Sequence, residues 1–145
     1  MVAEDRLYIG SQDRDVRALD IETGDTVWKF ELRGDVEANR VVYGTPAISN
    51  DLVYVASYDG NLYALNVEDG GEAWETVVGD GAPIVGGPIV GGGLVLVGSS
   101  DGALYAYDAA EGILQWRFST EKGIWSTPAI ANGRVYVGSM DQKVY

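Results

Sequence analysis

Ala18-Leu19-Asp20-Ile21-Glu22-Thr23-Gly24-Asp25-Thr26-Val27-Trp28 is the stretch that decides how this chain is read. The same frame, A-x-[D/N]-x-x-x-G-x-x-x-W, returns at Ala64, Asn66, Gly70 and Trp74, and again at Ala106, Asp108, Gly112 and Trp116, without a gap. Other landmarks keep the register. Pro46, Pro88 and Pro128 are 42 and 40 residues apart, Trp28, Trp74 and Trp116 are 46 and 42 apart, and Asp13, Asp59, Asp101 and Asp141 are 46, 42 and 40 apart. A period near 40 residues signals a propeller or solenoid, in which one supersecondary unit is stacked on copies of itself.

Within one unit, Thr45-Pro46-Ala47-Ile48 reads as a first strand, A, and Leu52-Val53-Tyr54-Val55-Ala56 as a second, B, rich in β-branched and aromatic residues. Asp59-Gly60 follows, a pair that supplies the positive φ angles of a tight hairpin turn. Leu62-Tyr63-Ala64-Leu65 is strand C, Glu68-Asp69-Gly70-Gly71 the next turn, and Ala73-Trp74-Glu75-Thr76-Val77 strand D. Such a four-stranded antiparallel meander has an apolar face it cannot cover alone, so units must stack. Arranged radially, they make an all-β propeller. The Trp then wedges a large flat ring into the neighbouring sheet.

The three copies resemble the tryptophan-docking motif of the pyrroloquinoline quinone (PQQ)-type β-propeller repeats, found in quinoprotein dehydrogenases and in the propeller lipoprotein of outer-membrane assembly. Strand B segments Leu7-Tyr8-Ile9-Gly10-Ser11, Val95-Leu96-Val97-Gly98-Ser99 and Val135-Tyr136-Val137-Gly138-Ser139 are likewise similar to that family. The resemblance implies that Trp28, Trp74 and Trp116 stack between the Ala of their own motif and the Gly-bearing turn of the next. It also implies that Asp20 and Asp108 hydrogen-bond across the blade junction, with Asn66 departing from the family's Asp. A periplasmic, extracellular or cell-surface location is suggested by the family alone.

In register, Met1 aligns with Ala47, Ile89 and Ala129, giving repeat units of about 1–46, 47–88, 89–128 and 129–145. The chain is thus expected to begin inside strand A and stop inside strand C. About three and a half blades do not close a ring. A fragment or truncated reading frame of a larger propeller is expected, and a homo-oligomer that completes the ring is the alternative. An open arc leaves strand edges and blade faces exposed.

Composition narrows the chemistry. The 145 residues, 46% hydrophobic, are enough for a real core, and the absence of Cys and His removes thiol nucleophiles, thiolate metal sites and the commonest general base. A net charge of -12 repels nucleic-acid backbones and anionic lipid, so neither is an expected partner. The 13 Asp and 9 Glu, with only three Lys beside seven Arg, fit a salt-adapted proteome or an ordinary acidic protein. Met1 to Arg6 holds Glu4 and Asp5 and does not read as a signal peptide. Gly81 to Ser100 carries no charge and is long enough to span a bilayer, but its seven Gly and two Pro are poor helix material, and the repeat places two short strands there.

All length variation falls between strand D and the next strand A. Trp to Pro is 18, 14 and 12 residues in successive repeats, whereas Pro46 to Trp74 and Pro88 to Trp116 are both 28. Those connections share a rim with the Asp-Gly turns, and loops that vary on a fixed scaffold carry function. The rim supplies Arg33, Asp35, Glu37, Asn39, Arg40 and Tyr43, then Asp80, then Glu121, Lys122 and Trp125. Arg33, Arg40, Tyr43, Lys122 and Trp125 are the candidate binding residues. Trp125 is the only Trp outside the motif and stands three residues before Pro128, as Tyr43 and Val85 stand before Pro46 and Pro88. The aromatics either line a channel mouth for recognition or fill space between blades. Asp13, Asp59, Asp101 and Asp141 are expected to shape turns and lack calcium-loop spacing. Gly86-Gly87 and Gly91-Gly92-Gly93 lack a phosphate-loop ending and read as crowded strand and turn positions.

The resulting functional expectation is a non-catalytic propeller module that binds a protein partner or ligand, with no cofactor in this chain. Its partners would be another protein or the missing blades. The alternative is a piece of a PQQ-dependent alcohol or sugar dehydrogenase, which would use PQQ and calcium. The adjacent-cysteine pair common in those alcohol dehydrogenases is absent.

Overall fold

The computed structural model describes residues 1–3, 5–33 and 41–145. Three antiparallel four-stranded sheets follow one another along the chain, each a simple meander. The first is β1 (Val2–Ala3), β2 (Arg6–Gly10), β3 (Asp15–Asp20) and β4 (Thr26–Glu31). The second is β5 (Ala47–Ser49), β6 (Leu52–Ala56), β7 (Asn61–Asn66) and β8 (Glu72–Val77); the third is β9 (Ile89–Gly91), β10 (Leu94–Gly98), β11 (Ala103–Asp108) and β12 (Leu114–Ser119). A fourth begins with β13 (Ala129–Ala131) and β14 (Arg134–Tyr136), and a bridge from Gly138 to Val144 starts its third strand. These are propeller blades, with β5, β9 and β13 adjacent at the inner edge. The uncharged 81–100 window forms β9 and β10, and no helix among the described residues is long and apolar enough to cross a membrane.

The two inner turns of a meander differ in kind. Between the first and second strands, both central residues have positive φ, at Asn50-Asp51 (48° and 62°), Gly92-Gly93 (62° and 77°) and Asn132-Gly133 (51° and 71°). This is the two-residue hairpin geometry that matches strand twist. The Asp-Gly turn was expected to use the same geometry, and it does not. Gly60 N–H donates to Ser57 O at 3.0 Å, Ser57 N–H donates to Asn61 O at 2.9 Å, and in the Asp59-Gly60 pair only Gly60 has positive φ, 89°. The loop is therefore a tight turn followed by one left-handed residue, and the Asp serves it with its side chain. Asp59, Asp101 and Asp141 each accept a backbone N–H two residues on, at 3.1, 2.8 and 3.0 Å. In the later two blades the other carboxylate oxygen accepts a tyrosine hydroxyl, Tyr105 at 2.6 Å and Tyr145 at 2.8 Å.

The core lies between sheets rather than within one. Tyr8, Trp28, Phe30 and Leu32 of the first blade pack with Val53, Val55, Tyr63 and Leu65 of the second. Tyr54, Ala64 and Trp74 pack in the same way with Val95, Val97, Tyr105 and Tyr107. Each motif Trp is paired with its motif Ala across the outer two strands, Ala18 with Trp28, Ala64 with Trp74 and Ala106 with Trp116. In all three sheets the register slips immediately after that pair. A bulge of this kind turns the strand locally and re-aims its side chain.

The indole N–H of Trp28 donates to Val67 O at 2.9 Å, and that of Trp74 donates to Ala109 O at 3.1 Å. Gly70 and Gly112, both left-handed, lie flat against these rings. A Cβ on either would sit 2.6 or 2.7 Å from indole carbons, so the ring tolerates only glycine there. The hydrogen bond expected of Asp108 across the junction is absent among the described residues, and the turn of Asp20 meets no neighbouring indole there. Asp20 accepts the N–H of Glu22 and Thr23, and Asp108 those of Ala110 and Glu111, all inside their own turn. Asn66 also acts locally, donating to Gly71 O at 3.0 Å. The motif Asp or Asn shapes the turn so that the carbonyl of the residue after it faces the neighbouring indole, and the indole makes the crossing bond.

Trp116 has no such partner among the described residues and is 38% exposed, against 7% for Trp28. Trp28→Ala and Trp74→Ala should each lower the unfolding free energy by ~3–5 kcal/mol, whereas Trp116→Ala should cost about 1 kcal/mol or less, read from urea midpoints. A second expectation concerns alkaline pH. Burial, and then the adjacent Asp101 carboxylate, push the Tyr105 phenol up from 10.0 to about 12. The unfolded phenol therefore ionises first, and stability contributed by the neutral form is lost as pH climbs from 10 towards 12. Tyr105→Phe should flatten part of that decline in a series of urea melts.

Candidate functional site

The connections between blades are anchored by one apolar residue four positions before each repeat proline. Val42, Ile84 and Ile124 are all buried. Val42 and Ile124 press on Gly10 and Gly98, where an added Cβ would come within 2.1 Å of the apolar side chain. The backbone is tied down alongside. Tyr58 N–H donates to Val41 O at 2.8 Å, Ser100 N–H to Pro83 O at 3.0 Å, and Met140 N–H to Gly123 O at 2.9 Å. Each connection thus lies against the turn of the following blade, and with one side chain fixed inward, the next points away from the core.

Those outward residues are Tyr43, Val85 and Trp125. They meet in one cleft of about 440 Å³, completed by Tyr58, Pro83 and Ser100. Tyr43 and Trp125 are 56% and 52% exposed. The cleft spans three successive blade connections and the two turns between them. Tyr43 meets Tyr58 edge to face, centroids 5.5 Å apart at 81°. The Trp125 indole N–H donates to Ser100 Oγ at 3.1 Å, which orients the ring without covering it. Both aromatics therefore touch the adjoining blade and still offer half their surface to solvent. Among the described residues the lining is mainly apolar and carries no charged side chain.

The other rim candidates go elsewhere. Arg33 pairs with Glu72 at 3.5 Å, and its guanidinium carbon lies 5.7 Å from the Phe30 ring centre, on the blade flank. Lys122 is exposed, and its carbonyl rather than its ammonium is engaged, accepting from Thr120 Oγ1 and Ser139 Oγ. Glu121 pairs with Lys143, and Asp80 accepts Ala82 N–H at 3.1 Å. Asp35, Glu37, Asn39 and Arg40 lie outside the described residues.

Tyr58, Pro83 and Ser100 were not singled out from the sequence. A signal was available for two of them, since Tyr58 and Ser100 each stand one residue before a repeat Asp, in the position of Gln12 and Met140. Among the described residues no group of three or more Asp, Glu, His or Cys could hold a metal. Asp141, although burial opposes it, is held below the usual carboxylate range by the Tyr145 hydroxyl and the N–H groups of Glu121 and Lys143.

Comparison with known proteins agrees with this architecture. The chain superposes on BamB from Moraxella catarrhalis with a TM-score of 0.81 at 24% identity, over 97% of this chain and 42% of that one. It matches the quinohemoprotein alcohol dehydrogenase from Comamonas testosteroni with a TM-score of 0.82 at 23% identity, over 96% of this chain and 28% of that one. The computationally designed Ika4 protein gives 0.82 at 18% identity, over 99% of this chain and 85% of that one. The chain thus spans well under half the length of the two natural proteins. No curated protein sequence matches it. The family model described as outer membrane protein assembly factor BamB matches residues 1–87 and 81–145, and together with the three docking motifs this places the chain in that family of PQQ-type β-propeller repeats.

Proposed function

We propose that this chain is a non-catalytic propeller module that captures a protein partner or ligand through the cleft between Tyr43 and Trp125. The observation that carries the reading is the convergence of three blade connections on one apolar cleft. Tyr43 and Trp125 stay half-exposed with the blade junctions closed. Half-exposed Trp and Tyr rings on a rigid base suit recognition, because they offer large contact area for little lost side-chain freedom. A net charge of -12 on the chain, with no charged side chain among the described lining residues, favours a partner that presents an apolar or aromatic group flanked by cations. The family's description as an assembly factor is in keeping with a role through protein contacts.

We also read the module as part of a larger propeller, whether continued by further blades or completed by other copies. The residues on hand are a poor match for PQQ with calcium. A polycarboxylate quinone needs cations, which the described lining of the cleft lacks, and a calcium ion needs a cluster of oxygen ligands that the described residues do not form.

Two experiments bear on the cleft. Ile124→Ala, which removes the inward anchor, should cost ~2–5 kcal/mol in urea unfolding, while Trp125→Ala next to it should stay within about 1 kcal/mol of wild type. Equal losses would make Trp125 a packing residue. Panning a random-peptide display library against the chain should enrich peptides whose affinity falls about tenfold or more on Trp125→Ala or Tyr58→Ala. Absence of enrichment, or peptides that bind the variants equally well, would refute the proposed role of the cleft.

A further inference from the structure

The cleft that joins the three blade connections has walls of a particular chemistry. Three of its described lining residues are aromatic, Tyr43, Tyr58 and Trp125, beside Pro83, Val85 and Ser100. Tyr43 and Tyr58 stand nearly perpendicular, at 81° with centroids 5.5 Å apart, so the two rings form a corner. Trp125 lines the same cleft from the third connection, and its indole N–H is already engaged by Ser100 Oγ at 3.1 Å. What it offers an incoming ligand is therefore ring surface. The walls are held in place from within the fold. Val42 and Ile124, each one residue before an aromatic, are buried anchors, and the Tyr58 N–H bond to Val41 O at 2.8 Å ties the second ring's backbone to the first connection.

The faces of aromatic rings are electron-rich and attract a cation. The neighbouring charges act in the same sense. Asp59 follows Tyr58 in the chain, Asp101 follows Ser100, and Asp80 stands three residues before Pro83. One oxygen of Asp59, Oδ2, is buried without a hydrogen-bond partner, so its negative field is not neutralised locally. Lys122, the described cation nearest to Trp125 in sequence, is not part of the lining. A primary ammonium or a guanidinium would bring N–H donors against a wall that is mainly apolar, and unmatched donors oppose burial. A quaternary ammonium has no N–H to satisfy and spreads its charge over methyl groups, which suit both the ring faces and the aliphatic lining.

We propose that the cleft binds a small quaternary ammonium compound with an uncharged tail, for which choline is the simplest probe. The proposal rests on the reading of this cleft as a recognition site and names the group it takes. The cation sits in the corner of Tyr43 and Tyr58 with Trp125 as the remaining aromatic wall, and the tail leaves through the open side. A tail that carries a carboxylate or phosphate is disfavoured, because it meets no cation among the described lining residues and is opposed by the surrounding aspartates.

The test titrates the 145-residue chain by calorimetry with choline and with its uncharged isostere, in which a tert-butyl group replaces the trimethylammonium, while NMR follows the indole N–H resonances. Choline should bind one to one, move the Trp125 resonance and bind roughly tenfold more tightly than the isostere, since only the cation gains from the ring faces. Glycine betaine, whose tail is a carboxylate, should bind several-fold more weakly than choline. Trp125→Leu keeps apolar bulk but removes the indole face, and should bring choline and the isostere to similar affinities with a urea midpoint near wild type. Absence of choline binding, equal binding of the isostere, or a preference for choline that survives Trp125→Leu would each overturn the proposal. Much tighter binding of a peptide carrying trimethyllysine would overturn it in favour of a modified protein chain. If choline does not bind while display-selected peptides still depend on Trp125, the ligand class is refuted and the recognition role of the cleft stands.

Discussion

An indole ring crossing from one sheet to the next is the interaction on which this molecule depends. A single four-stranded meander cannot bury its own apolar face, and here each sheet finds its core in the neighbour. The Trp fixes how the neighbours sit, because it is held in three ways. Its motif Ala faces it across the sheet, a bulge directs it outward, and a glycine of the next blade lies flat against it while a carbonyl takes its N–H. The motif aspartate stabilises this arrangement from a distance by shaping the turn that offers the carbonyl. At the first junction Arg6 adds to the join, donating to the carbonyls of Val67 and Glu68 at 2.6 and 3.0 Å.

A rigid junction has a consequence at the rim. Connections of unequal length leave one blade and enter the next, yet each is pinned by one buried aliphatic residue and by a main-chain bond to the following turn. The residue after the anchor is thereby presented outward at an equivalent place in every blade. Tyr43, Val85 and Trp125 are three versions of that one position, and the cleft they share with Tyr58, Pro83 and Ser100 arises from repetition. The scaffold supplies the placement and the side chain supplies the chemistry, so the recognition proposed for the cleft would change without disturbing the stack.

Most of the fold was legible in the sequence because the repeat carries its own controls. Three Trp, three Pro and four Asp landmarks agree on one register, and each strand of the second blade lies within two residues of its expected place. The details that were misread involve residues whose chemistry permits more than one geometry. Asp-Gly suits a two-residue hairpin turn, but the Ser57 and Asn61 main-chain bonds select a longer loop in which Gly60 is the left-handed member of the pair. A motif Asp can reach across a junction or bind its own turn, and the N–H groups two and three residues on are closer. At the site, Tyr43 and Trp125 were legible as a displaced aromatic pattern. Arg33 was not separable from them, since nothing in its spacing reveals that Glu72 and Phe30 hold it on the flank. Tyr58 was passed over because the Asp beside it explained the turn. The inward series of Val42, Ile84 and Ile124 was present at constant distance from the prolines and would have given the inside and outside of each connection.

The central claim is that successive blades are joined by indole-to-carbonyl docking and that the series is satisfied twice and open once. Hydrogen exchange of the four indole N–H protons, followed by NMR on the 145-residue chain, tests it most directly. The account predicts strong protection for Trp28 and Trp74 and fast exchange for Trp116, with Trp125 also exchanging quickly at its exposed site. Comparable protection of Trp28, Trp74 and Trp116, or rapid exchange of all three, would contradict it.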